Sequence, residues 1–79
     1  MSESTESVHE LDARRLLCPL PVLRAQKALR EMASGEVVEV LATDTASVNE
    51  FPAFCQQTGH ELLEWDEDGG RFRFRLKKA

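Results

Sequence analysis

Three features that often announce a function are missing from this chain. No apolar run approaches the ~20 residues of a membrane span. There is no basic excess: 10 Lys and Arg stand against 14 Asp and Glu, a net charge of −4. That balance disfavours general phosphate-backbone binding, which needs a basic face, while leaving room for a local basic patch. Cysteine is scarce as well. Cys18 and Cys55 are the only two, with no Cys-x-x-Cys pair to suggest a dithiol redox site. His9 and His60 lack metal-like spacing with each other or with either cysteine, so no metal site and no cofactor are expected. No glycine-rich phosphate loop, repeat or low-complexity tract occurs.

The N-terminal segment Met1-Ser2-Glu3-Ser4-Thr5-Glu6-Ser7 is polar and acidic, the reverse of a basic-then-apolar export signal. It reads as a disordered tail over residues 1–7, ahead of one domain over 8–79. A cytoplasmic protein with reduced thiols is expected. A 79-residue domain has room for one core and little space for an enclosed pocket. Chemistry should therefore lie on an exposed edge, at a helix end or in a loop.

Periodicity supplies the elements. Val8–Ala13 reads as a first strand. Val22, Ala25, Leu29 and Met32 form one apolar helical stripe in a segment running from Pro19 to about Ala33, and Gly35 is suited to cap it. Glu36–Thr43 is a β-branched central strand. Ser47 and Glu50 match a capping box, but Pro52 falls in the second turn, so a short turn, a kink and then helix to about Thr58 are expected. Val48, Phe51, Phe54 and Cys55 should be its buried side, with Cys55 a structural thiol.

A hairpin closes the chain. A two-residue Asp68-Gly69 turn places Asp66 opposite Arg71, Trp65 opposite Phe72 and Glu64 opposite Arg73, so that apolar and opposite-charge pairs alternate. A Gly69-Gly70 turn would set Glu67 against Phe72, and the first register is preferred. The order β-α-β-α-β-β, with both helices on one face of a mixed four-stranded sheet, describes an α+β fold, a two-layer sandwich.

The segment Cys18-Pro19-Leu20-Pro21 carries the chemistry. Two prolines in three residues are tolerable only in a first helical turn, whose N–H groups have no intrahelical partner. With Cys18 as N-cap, Pro19 and Pro21 fix where the helix starts and where the thiol points. A thiolate is stabilised at a helix N-terminus and beside cations. Arg14, Arg15, Arg24 and Lys27 are candidates for that role or for docking a partner, and no acidic residue lies between Ala13 and Arg30. The thiol of Cys18 is thus expected to ionise below the ordinary ~8.5.

The stretch Leu11-Asp12-Ala13-Arg14-Arg15-Leu16-Leu17-Cys18-Pro19-Leu20-Pro21-Val22 resembles the opening of the TusA (SirA-like) sulfur-carrier family. The likeness continues through Ser34-Gly35-Glu36, Ala42-Thr43-Asp44, Phe54-Cys55 and Gly59-His60-Glu61-Leu62 to Phe72-Arg73-Phe74, about residues 8–78. It implies a persulfide carried on Cys18, sulfur received from a cysteine desulfurase or another donor, and onward transfer to a relay acceptor protein, toward 2-thiouridine in tRNA. Sulfur oxidation and molybdenum-cofactor assembly are the alternative destinations. Asp44 reads as a loop or capping carboxylate at a place where the family commonly has Asp. Arg15 stands where the family usually has glycine, and Leu20 where the tRNA-modifying branch has glutamate. A monomer is expected, without direct contact to nucleic acid or membrane. The rival reading is an RNA-binding module on the stripe Arg71, Arg73, Arg75, Lys77 and Lys78. The acidic net charge and the lack of exposed aromatics on that strand argue against it.

Overall fold

The computed structural model describes residues 8–79. The N-terminal tail expected over residues 1–7 lies outside the described residues. Six elements follow in the order β1 (Val8–Ala13), α1 (Leu20–Arg30), β2 (Val37–Ala42), α2 (Ser47–Thr58), β3 (Glu61–Asp68) and β4 (Arg71–Lys77). They form a mixed four-stranded sheet in the spatial order β1-β2-β4-β3. β1 runs parallel to β2, while β2–β4 and β4–β3 are antiparallel. The crossover helix α1 supplies the connection that parallel β1 and β2 need.

One face of this sheet is the core. Val38, Val40 and Ala42 of β2 stand opposite Leu76, Phe74 and Phe72 of β4, and all six are buried. The helices press onto that face through Ala25, Leu29 and Met32 from the α1 side and Phe51, Phe54 and Cys55 from α2. The Phe51 and Phe74 rings stack with centroids 4.6 Å apart, tying α2 to the centre of the sheet. The opposite face is wet. There Glu39 lies between Arg73 (3.1 Å) and Arg75 (3.5 Å), and Arg75 also reaches Glu64 at 3.7 Å. The basic stripe of β4 is therefore partly neutralised within the sheet.

Three expectations are corrected. First, the hairpin adopts the Gly69-Gly70 turn, with Asp68 opposite Arg71, Asp66 opposite Arg73 and Trp65 opposite Phe74. Gly69 and Gly70 have φ of +61° and +85°. A type I′ turn needs positive φ at both central residues, which glycine adopts without steric cost and Asp68 would not. Glu67 does face Phe72, but at the end of the sheet, where Glu67 stays exposed. A bulge between Leu62 and Glu64 then turns Leu62 toward the core and leaves Leu63 in solvent.

Second, α2 is continuous from Ser47 to Thr58 with Pro52 inside it, and no capping box forms. Ser47 lies one position inside the helix, its hydroxyl buried without a hydrogen-bond partner among the described residues, and the Glu50 side chain is engaged elsewhere.

Third, α1 ends at Arg30 rather than near Ala33. The Glu36 carboxylate accepts the Ala33 N–H at 2.9 Å, and the Lys78 ammonium donates to the carbonyl of Leu29 at 2.6 Å. These partners satisfy the free backbone groups that a further turn would have used. Gly35, at φ +91°, sits in the connecting turn and donates its N–H to the Lys78 carbonyl at 2.9 Å.

Candidate functional site

The C-terminal ends of β1 and β2 and the N-terminal ends of α1 and α2 converge at one end of the molecule, where Cys18 lies exposed in the loop between β1 and α1. The helix begins one residue later than expected: α1 starts at Leu20, with Pro19 as its N-cap at φ −100° and ψ 18°. Cys18 precedes the cap instead of forming it. The logic of the prolines survives the shift. Pro19 and Pro21 both fall where no intrahelical donor is lost, and the carbonyl of Pro19 accepts the Leu23 N–H at 3.1 Å. A tight turn leads in, with Leu20 N–H donating to the Leu17 carbonyl at 2.8 Å.

The loop is held from β2. Thr43 Oγ1 accepts the Arg15 N–H at 2.9 Å, and Asp44 Oδ2 accepts the Cys18 N–H at 2.5 Å. Asp44 is thus a direct anchor of the cysteine backbone as well as a loop carboxylate, since its Oδ1 accepts the Ala46 N–H at 3.3 Å. Arg15 has φ +70°, a left-handed conformation that a non-glycine residue adopts at a cost of about 1–2 kcal/mol. The Thr43 contact holds it there.

The charge around the sulfur is the reverse of that expected. The Cys18 thiol donates to Glu50 Oε2 on α2, while Glu50 Oε1 is buried and without a partner among the described residues. Because of that hydrogen bond to Glu50, together with partial desolvation and the carboxylates of Glu50 and Asp44, the Cys18 thiol is pushed above its ordinary value. An ionised sulfur would give up the S–H it donates and face two carboxylates, which outweighs the half-charge of a helix terminus. The four cations singled out in the sequence do not set this balance. Arg14 forms a two-pronged pair with Asp12 at 2.9 Å, Arg15 is fixed through its backbone, and Arg24 and Lys27 are exposed on α1.

Exposed leucines flank Cys18 in the chain. Leu17 is 71% exposed, Leu20 46% and Leu23 49%. Beside them a shallow groove of about 230 Å³ runs between α1 and α2, lined by Pro19, Val22, Glu50, Ala53, Phe54 and Gln57. Cys55 is far less available. It is only 6% exposed, and burial pushes its thiol up to about 11. Among the described residues no three His, Cys, Asp or Glu side chains gather as a metal site requires, and no helix is long and apolar enough to cross a membrane.

The arrangement of an exposed cysteine, a proline-fixed helix start and an anchoring Asp can now be set beside known proteins. The family described as sulfurtransferase TusA matches residues 9–78. The chain belongs to the TusA family. It is 57% identical over 70 residues to the sulfur carrier protein TusA of Allochromatium vinosum, covering 89% of this chain and 92% of the relative. It is 41% identical over 76 residues to the sulfur carrier protein TusA of Pseudomonas entomophila, covering 94% and 95%. A crystal structure of a SirA-like protein from Desulfitobacterium hafniense superposes with a TM-score of 0.78 at 30% identity, covering 91% of this chain and 97% of that one. The α+β sandwich is therefore that of the SirA-like fold, and its curated TusA relatives are sulfur carrier proteins.

Sequence reasoning missed Glu50. It lies 32 residues from Cys18, and its local pattern with Ser47 offered a capping role that fully accounted for it. No signal within one sequence joins the two.

Proposed function

We propose that this TusA-family protein accepts sulfane sulfur on Cys18 as a persulfide and hands it to a downstream acceptor protein. It would act as a partner-dependent sulfurtransferase, in the cytoplasm and as a monomer. The observation that carries the reading is the exposed Cys18 thiol at the head of the proline-fixed helix α1, in a chain 57% identical to a sulfur carrier.

The step is displacement at sulfur. The Cys18 proton leaves to solvent, and the thiolate attacks the outer sulfur of a donor persulfide. A new sulfur–sulfur bond forms on Cys18, the donor's own sulfur–sulfur bond breaks, and the donor departs as a thiolate. Nothing is oxidised or reduced overall, so no cofactor enters. The donor is a cysteine desulfurase or another persulfide-bearing protein, and the apolar collar of Leu17, Leu20 and Leu23 offers it a surface. Pro19 and Pro21 position the helix start, and Asp44 holds the cysteine backbone.

The proposed destination is 2-thiouridine in tRNA, through relay proteins. Leu20 favours a second reading, in sulfur oxidation or molybdenum-cofactor assembly. It is 46% exposed beside the thiol at a position where the tRNA-modifying branch has glutamate.

Intact-mass spectrometry after incubation with a cysteine desulfurase and cysteine tests the carrier. The wild type should gain one sulfur, Cys55→Ser should gain it too, and Cys18→Ser should gain none. A Cys18→Ser protein that still loads would rule the proposal out.

A further inference from the structure

The surface near Cys18 contains an electrostatic conflict. A nucleophilic sulfur is most useful as a thiolate, yet its S–H is donated to the Glu50 carboxylate and its backbone N–H to Asp44. Two acidic groups face it, Asp44 from the β2–α2 loop and Glu50 from α2, and no basic side chain among the described residues contributes to its state. Glu50 is also incompletely satisfied, because Oε1 is buried with no hydrogen bond among the described residues. A carboxylate oxygen taken from water without a partner is costly, so this residue gains from any donor that arrives.

The same Glu50 lines the groove between α1 and α2. Its other walls are Pro19, Val22, Ala53, Phe54 and Gln57, mostly apolar. An apolar trough with one carboxylate at its edge matches a long basic side chain, whose aliphatic stem lies on carbon while its head meets the charge. Resting on the carrier reading, we propose that Glu50 is a latch: it holds Cys18 in the thiol form in the free protein, and an arginine or lysine of the sulfur-exchanging partner releases it by entering this groove. Paired with that cation, the carboxylate no longer takes the S–H, and the thiol proton leaves to solvent. The free carrier would then resist adventitious oxidation and alkylation, with reactivity confined to the docked complex.

The latch can be tested without knowing the partner. Iodoacetamide is uncharged and reacts with the thiolate, so its rate on the Cys18 peptide of the full chain, followed across pH by mass spectrometry, reports the latch. Glu50→Gln keeps the shape and removes the charge. It should alkylate faster at pH 7, by about tenfold for each unit by which the thiol becomes more acidic. Glu50→Asp, which draws the carboxylate back by one methylene, should accelerate it less.

Ala53→Arg supplies the missing cation in cis, one helical turn from Glu50 on the groove wall. It should accelerate alkylation as Glu50→Gln does, whereas Ala53→Leu fills the groove without charge and should leave the rate unchanged. Adding Ala53→Arg to Glu50→Gln should bring no further gain. An unaltered pH profile in Glu50→Gln overturns the latch, and equal effects of Ala53→Arg and Ala53→Leu overturn the cationic partner. Sulfur loading of the wild type is measured separately. Its failure would sink the carrier reading and leave these alkylation comparisons intact.

Discussion

The Asp44 carboxylate accepts the backbone N–H of Cys18 at 2.5 Å across 26 residues of sequence. This contact locks the cysteine loop to the end of β2 and draws negative charge toward the sulfur. Asp44→Ala removes it along with the weaker bond to the Ala46 N–H at 3.3 Å. Water can replace part of what is lost at this exposed site, so the expected cost is about 1 kcal/mol. For a domain of this size that lowers the melting temperature by about 4–8 °C. Asp44→Asn, which keeps an acceptor oxygen, should recover part of the loss. Thermal unfolding of the three proteins checks this, and an unchanged Asp44→Ala midpoint would count against the anchor.

The hairpin turn makes a second prediction. Gly69 and Gly70 both have positive φ, and a Cβ added at either would meet nothing within 4 Å. The cost of substitution is therefore conformational, without a clash. Gly70→Val should destabilise by about 1–2 kcal/mol, because the left-handed region is poorly open to a β-branched residue. Gly69→Asn should stay within about 0.5 kcal/mol, since asparagine tolerates that region. Urea unfolding midpoints of the two variants separate backbone strain from packing. Equal losses would contradict the turn as described.

Cys55 gives a dependence on pH. Burial alone pushes its thiol from 9.0 up to about 11, so the folded protein holds this proton more tightly than the unfolded chain does. A group whose folded value is raised contributes stability that is whole below the unfolded value and lost as pH rises through the folded one. Stability from this source should be flat up to pH 9 and fall between 9 and about 11. The fall should reach roughly 2 kcal/mol. Cys55→Ala should flatten that part of the profile relative to wild type. In native protein Cys55 should be the slower of the two thiols to react, and denaturation should make it available.

How far the sequence reached follows from how local each signal is. The bounds of β1 and the stripe of Ala25, Leu29 and Met32 were legible because alternation and helical periodicity act within a few residues. The exposed place of Cys18 just ahead of α1 was legible because two nearby prolines tolerate only a helix start. The hairpin register was not settled by charge, since the observed pairs Asp68–Arg71, Asp66–Arg73 and Glu64–Arg75 alternate as well as the expected ones. The positive φ demanded by the turn was the stronger criterion. The acidity of the thiol was misjudged for another reason. Its controlling groups, Asp44 and Glu50, come from across the fold, and the absence of acid between Ala13 and Arg30 says nothing about them.

The apolar collar allows docking to be separated from chemistry. Leu17 is 71% exposed, so removing it exposes no core and should change stability by less than about 0.5 kcal/mol. An exposed leucine next to Cys18 instead adds to any surface a partner covers there, where apolar burial is worth about 25 cal/mol per Å². Leu17→Asp would place a third carboxylate near Asp44 and Glu50 and take that burial away. Loading by a desulfurase, which requires docking, should fall by about tenfold or more, equivalent to about 1.4 kcal/mol. Loading from inorganic polysulfide, which needs no protein surface, should fall much less. The ratio of the two rates, measured by intact mass over time, is the readout, since a variant that had merely unfolded or buried its thiol would lose both together.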